Sequence, residues 1–326
     1  MTIHRLVSVC ALLLAMAAPA SGQAVTAADR YPNRPVKIIV PFPAGGPLDL
    51  VARMLGQKLS EDWKQPVVIE NQAGGNSAVG AAAAARAAPD GYTLLAAMDT
   101  TLVYNPITVG KLTYDPRDFT PISLTTNNTP LLIVPADGPR TTKELIGRAK
   151  AAPGKLNYGA GVLPARLAGY LFNSLSGIQS TEIVYRGSTE IVQGLLTRSI
   201  DYSFDGLSAS LAMIRDGKLR PLAKLAARPL TPLPTLPRLA DDAELPGLGD
   251  ISIWSGIVAP VGTPPAVIAK VQRSVAAALA APETVDRLDN VGISVVSSTP
   301  EQFQSFIHDE TVRWSKVIKD SGLKIQ

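Results

Sequence analysis

The chain has 326 residues, 46% of them hydrophobic and 18% charged, with a formal net charge of +4, enough to bury one large core or two ordinary ones. A basic excess this small, with no run of lysines or arginines, argues against nucleic acid as a partner and suits an anionic small ligand. The only cysteine is Cys10, so beyond the amino-terminal segment disulfides, a thiolate nucleophile and cysteine-ligated metal are excluded.

Residues 1–24 read as an export signal. His4 and Arg5 precede an apolar run over residues 6–18 that is too short to span a bilayer. Small residues follow, with Gly22-Gln23-Ala24 as the expected cleavage site and Ala18-Pro19-Ala20 as its competitor. Cleavage leaves about 302 residues (326 less 24) without cysteine, which fits a bacterial periplasm. No later apolar run reaches membrane-spanning length.

The stretch over residues 36–50 reads as strand, glycine turn and helix. Residues 36–40 are a mostly β-branched run, suited to a parallel strand buried on both faces. Pro41 ends the ladder, and Gly45 and Gly46 permit a sharp turn. Leu48, Val51, Ala52, Leu55 and Leu59 then share one helix face. The turn Phe42-Pro43-Ala44-Gly45-Gly46 thus offers helix N–H groups just past a strand's carboxyl end, where open α/β sheets bind ligands. It reads either as a carboxylate site or as a tight turn that binds nothing. Asp49, on the first helical turn, serves either the ligand or the helix dipole.

A second strand is expected over residues 66–70, an alanine-rich helix over 78–88 and a third strand over 93–98, followed by Asp99-Thr100-Thr101. This alternation predicts a parallel, doubly wound sheet. A polar break over residues 125–130 predicts a change of domain. Strand and helix then alternate afresh: a helix over 141–151 with a threonine cap, the small-residue loop Gly159-Ala160-Gly161, helices over 164–175 and 189–196, and strands over 183–185 and 199–204 ending at Asp205-Gly206. Residues 228–237 carry four prolines and read as an extended connection. Residues 251–258 form a strand that can return the chain to the first unit. Thr299-Pro300-Glu301-Gln302 is a capping box for the last helix.

Catalytic signals are missing. After signal removal the one histidine is His308, beside Asp309 and Glu310. No nucleophile elbow, phosphate loop, dinucleotide fingerprint or paired-histidine zinc motif occurs. No metal or other cofactor is expected. Arg166 lies early in a helix, either to pair with a ligand carboxylate or as a surface arginine.

The segment Tyr31-Pro32-x-Arg34-Pro35 through Gly45-Gly46-x-x-Asp49 resembles the opening of the Bug (TctC-like) family, solute-binding proteins of tripartite tricarboxylate transporters. The likeness continues through Pro89-Asp90-Gly91-Tyr92, Leu156-Asn157-Tyr158, Leu167-Ala168-Gly169, Tyr185-Arg186-Gly187 and Gly262-Thr263-Pro264. It implies an α/β, two-lobed periplasmic binding fold of type II, each lobe a mainly parallel sheet flanked by helices, with two crossings between lobes. Residues 30–126 and 248–326 would form lobe 1, and residues 127–247 lobe 2.

The resemblance also implies a carboxylate held between the first βα loops of the two lobes. Carried over, the lobe 1 contacts are Phe42, Pro43, Ala44, Gly45, Gly46 and Asp49, with Ser77, Thr100 and Thr101 as neighbours. Ala160, Gly161, Arg166, Tyr185 and Asp205 are expected from lobe 2. Here the chain departs from the family pattern: Val162, Leu163, Pro164 and Ala165 replace small or hydroxyl residues, and Arg166 stands where a histidine is usual. The departure favours an apolar or aromatic carboxylate, with Arg166 supplying charge. The implied partners are the small carboxylate and the membrane subunits of a transporter, with the receptor itself a monomer. A ligand sensor feeding a signalling partner and an exported α/β hydrolase are the alternatives; the hydrolase needs a nucleophile with a base, and none can be assembled.

Overall fold

In the computed structural model, residues 31–321 are described. The expected export signal, residues 1–24, lies outside the described residues. Strand β1 (Val36–Val40) is buried along nearly its whole length, as its apolar run requires. Helix α1 (Pro47–Trp63) starts on a proline, which needs no N–H partner at that position, and stops at a left-handed Lys64. Strands β2 (Val67–Asn71) and β3 (Thr93–Met98) flank β1 in parallel. Between them, α2 (Ala78–Ala85) is shorter than the alanine run suggested, because the chain turns at Arg86. After β3 a π-helical turn (Thr100–Tyr104) leads into the short α3 (Asn105–Thr108).

Strand β4 (Phe119–Asn128) runs through the expected polar break. The reason is a partner for each hydroxyl: Thr125 and Thr126 Oγ1 lie 3.0 and 2.7 Å from Ser255 Oγ, so they are buried without penalty. The chain then passes over Thr129 and Pro130 into β5 (Leu131–Pro135). Next come α4 (Thr142–Ala151), capped by Thr141 as expected, and β6 (Leu156–Ala160), α5 (Leu163–Ser176), β7 (Ser180–Val184), α6 (Ser188–Leu196), β8 (Tyr202–Asp205), α7 (Leu207–Arg215) and β9 (Leu219–Lys224). A long connection with the short α8 (Leu239–Asp242) returns to β10 (Ile253–Pro260). Helices α9 (Pro265–Ala280), α10 (Pro282–Asp289) and α11 (Pro300–Ser321) complete the described chain. The capping box forms: Gln302 N–H donates to Thr299 Oγ1 at 3.2 Å, and Thr299 N–H to Gln302 Oε1 at 2.9 Å.

Two five-stranded sheets result, ordered β2-β1-β3-β10-β4 and β7-β6-β8-β5-β9. In each, three parallel strands are joined by one antiparallel strand that has just crossed from the other sheet. The two units therefore share a topology, although the sequence has no visible repeat. The fold is α/β and two-lobed, with mainly parallel sheets. Both sheets place the carboxyl ends of their parallel strands, the edge where ligands bind in such folds, on the same cavity. No helix among the described residues is long and apolar enough to cross a membrane.

Candidate ligand-binding site

The cavity measures about 300 Å³ and is walled by both lobes. Lobe 1 contributes the β1–α1 turn, including Phe42, Pro43, Ala44, Gly46 and Asp49, together with Met98, Thr126, Asn128, Ile253, Trp254 and Ser255. Lobe 2 contributes Val162, residues 186–190 and residues 205–208. The β1–α1 turn owes its shape to Gly45, whose φ of +84° is the left-handed conformation glycine adopts freely. Gly45 N–H donates to Asp49 Oδ2 at 2.9 Å, which pins the turn to the helix it opens. Arg53 Nε donates to the same oxygen at 2.9 Å, and Asn71 Nδ2 to Oδ1 at 2.9 Å and to Phe42 O at 3.1 Å.

Burial pushes the Asp49 carboxyl up. Hydrogen bonds from Arg53, Gly45 and Asn71 outweigh it and hold the group below its ordinary value. Asp49 thus lines the cavity as an anion whose oxygens are committed to the turn. No side chain caps α1 at Gly46, so the first N–H groups of that helix lack a side-chain acceptor. The N-caps of α5 (Val162), α6 (Gly187) and α7 (Gly206) also lack side-chain caps, and all three residues line the same cavity. Four helix amino termini therefore converge there, a field that favours an anion.

Asp205 lies in the wall at the end of β8, 4% exposed. Its Oδ1 accepts from Ser188 Oγ at 2.8 Å, whereas Oδ2 is buried without a partner. Burial pushes its carboxyl up to about 6, against hydrogen bonds from Ser188 and Gly206 N–H. Asp99, at the matching place in lobe 1, is fully buried; burial raises it to about 7, while its Oδ2 accepts Trp254 N–H at 2.9 Å.

Other sequence candidates lie outside the lining. Gly45 acts one step back, through Asp49. Ser77 and Thr101 are buried with their hydroxyls 3.0 Å apart, and Asn105 Nδ2 reaches Ser77 Oγ at 3.3 Å. Thr100 is spent on Asp99, to which its N–H donates at 2.5 Å. Ala160 and Gly161 are not among the lining residues. Tyr185 donates its N–H to Ala160 O at 3.1 Å, and its ring packs against Gly159 and Gly194. Arg166 points its Nε and one terminal nitrogen at the two oxygens of Glu182, at 2.8 and 3.0 Å. Among the described residues the one arginine in the lining is Arg186. Its signal in sequence was its position, at the junction of a strand and a helix in the second unit. Trp254, Ile253 and Leu207 could not be found that way, since they read as core residues. Among the described residues no cluster of histidine, cysteine or acidic side chains could hold a metal, and His308 is exposed on α11.

Comparison with known proteins places this geometry. The family profile described as "Tripartite tricarboxylate transporter family receptor" (TctC) matches residues 51–323. Protein BugT of Bordetella pertussis is 34% identical over 337 aligned positions that cover 100% of both chains. An R. palustris protein solved with adipate is 31% identical, with a TM-score of 0.85, covering 90% of this chain and 98% of its own. MatC from Rhodopseudomonas palustris, solved with bound malate, is 29% identical with a TM-score of 0.81, over 88% of this chain and 100% of its own. From the shared profile, the whole-length relative and the common two-lobed fold, this chain belongs to the TctC (Bug) family of solute-binding proteins.

Proposed function

We propose that this protein is a periplasmic solute-binding receptor. It is exported, works as a monomer, closes its lobes on a small carboxylate and delivers it to the membrane subunits of a tripartite transporter. The observation that carries this reading is the uncapped amino terminus of α1, presented at the cavity by a turn that Asp49 holds in place. Adipate and malate, the ligands of two neighbours, carry the charge such a site accepts. Much of the wall is apolar (Phe42, Leu48, Met98, Leu207, Ile253 and Trp254), which suits the carbon chain of the ligand. Binding rather than turnover is the activity, in keeping with the family of solute-binding proteins.

The test is a thermal-shift screen of the protein lacking residues 1–24, against mono-, di- and tricarboxylates, aliphatic and aromatic, with acidic amino acids included. A ligand at 100 times its dissociation constant adds about 2.7 kcal/mol, a rise of about 5 °C for a chain of this size. A hit confined to carboxylates supports the reading. Silence across the panel, or consumption of the hit compound by the protein, overturns it.

A further inference from the structure

Asp49 stands in the cavity wall as an anion, on the first turn of the helix whose amino terminus is proposed to receive a second anion, the ligand. Left alone, its charge would spend the positive end of α1 on itself and repel an anion in the cavity. Glu190 and Asp205 bring two more carboxyls to the wall, against one guanidinium, that of Arg186, among the described residues. A cavity of this composition suits an anion only if the Asp49 charge is met from outside the lining.

Arg53 meets it. The residue lies one turn further along α1, with its side chain 52% exposed, and is not among the lining residues. Its Nε donates to Asp49 Oδ2 at 2.9 Å, the oxygen that also accepts Gly45 N–H. Its Nη2 donates to Asn71 Oδ1 at 3.0 Å, and Asn71 Nδ2 donates to Asp49 Oδ1 at 2.9 Å. Side chains from α1 and β2 thus close a ring around the carboxylate. Burial pushes the Asp49 carboxyl up, and the hydrogen bond from Arg53 is the largest influence bringing it down. Arg53 is the one cation paired with Asp49 among the described residues.

Resting on the carboxylate reading above, we infer that Arg53 is a positioning residue that makes the cavity accept an anion without touching it, because its positive charge cancels that of Asp49 at the β1–α1 turn. The Asp49 carboxylate then holds Gly45 N–H, and with it the turn, at no electrostatic cost to the ligand. The role differs from ordinary bracing. Asn71 also holds Asp49 and the Phe42 carbonyl, and a neutral donor in the place of Arg53 can reach Oδ2, but neither brings a charge. Charge is therefore what the Arg53 position adds, and the guanidinium fork, which reaches Asp49 and Asn71 together, is the smaller part of it.

The experiment is calorimetric titration of the wild type, R53Q and R53K with adipate, malate, hexanoate and each carboxylate that scores in the thermal screen, beside hexanamide, the uncharged counterpart of hexanoate. R53Q keeps a hydrogen-bond donor and loses the charge. R53K keeps the charge and loses the fork. R53Q is expected to weaken the carboxylates about 10-fold and hexanamide less than about twofold, while R53K stays within about threefold of the wild type. The R53Q loss shrinks at 1 M salt, where the screening length is about 3 Å. Because Arg53 is half exposed, both variants should fold, and their melting temperatures check this. R53K as weak as R53Q, or a loss equal for hexanoate and hexanamide, makes Arg53 a brace of the turn and overturns the proposal. R53Q that binds carboxylates as the wild type does overturns it too. Each of these leaves the carboxylate reading intact. Wild-type protein that binds no carboxylate overturns that reading and the role of Arg53 with it.

Discussion

Thr231 Oγ1 donates a 2.6 Å hydrogen bond to Asp289 Oδ2, joining the proline-rich segment after β9 to the end of α10. Three residues on, Gly292 turns at φ +74° directly against Leu207 of lobe 2; a Cβ there would sit 2.6 Å from Leu207 Cδ2. Val291 packs into the apolar cluster of lobe 2 that includes Leu207, Leu211 and Leu230. Gly292, Ile293 and Leu207 all line the cavity, so, on the proposed closing of the lobes over a ligand, this contact would act as a clasp. Replacing Thr231 with Val removes one hydrogen bond, worth about 1 kcal/mol. Stopped-flow dissociation of the screened ligand should speed up about fivefold, with little change in association. An unchanged dissociation rate would remove the clasp from the account.

Gly292→Ala brings both a strained left-handed alanine and a clash with Leu207. The expected loss is about 1–3 kcal/mol of stability, read as the urea midpoint, accompanied by weaker ligand binding. Gly262, with a φ of +90° and only ordinary contact from Pro89 at 3.7 Å, is the control. Its alanine variant should lose stability from strain but keep ligand affinity.

The carboxyl of Asp205 holds its proton to higher pH in the folded protein than in the unfolded chain, about 6 against an ordinary 3.8. The native state therefore binds more protons between those values, and stability falls as pH rises from 4 to 6. This contribution is fully present below the unfolded value and lost above the folded one. Asp205→Asn cannot ionise. Its melting temperature relative to wild type should improve steadily from pH 4 to pH 7, by the equivalent of roughly 2–3 kcal/mol. A constant difference across that range would contradict a buried, proton-holding Asp205.

Mutation of Arg166 should touch stability and not ligand affinity. Arg166 is bound to Glu182 with side chains 16% and 26% exposed, so Arg166→Gln should cost about 1–2 kcal/mol of stability and change ligand affinity less than twofold. Denaturation and calorimetry on the same preparation check both. A tenfold loss of affinity in the Arg166 variant would return it to the binding site.

The first βα unit was legible because each signal was local. The β-branched run, Pro41, the two glycines and the spacing of Leu48, Val51, Leu55 and Leu59 each have one conformational meaning. The capping box at Thr299 and the cap at Thr141 were readable for the same reason. The strand over residues 125–128 was not, since its threonines and asparagines favour a break until Ser255, 130 residues beyond Thr125, supplies partners. The cavity was half legible. Turns that follow strands announce themselves, but which arginine faces the cleft depends on how a helix is rotated. Glu182, on the neighbouring strand, draws Arg166 away, and no spacing in the chain encodes that pairing.

The exchange of antiparallel strands between sheets has a consequence for the order of assembly. The five strands of the second sheet are contiguous in the chain, from Leu131 to Lys224. The first sheet waits for β10, whose residues 253–260 sit between β3 and β4. A chain emerging amino end first can therefore complete lobe 2 while lobe 1 is still a three-strand fragment with β4 unattached. Lobe 1, which holds the α1 turn, is made last, and the cleft becomes competent only when nearly the whole chain has appeared.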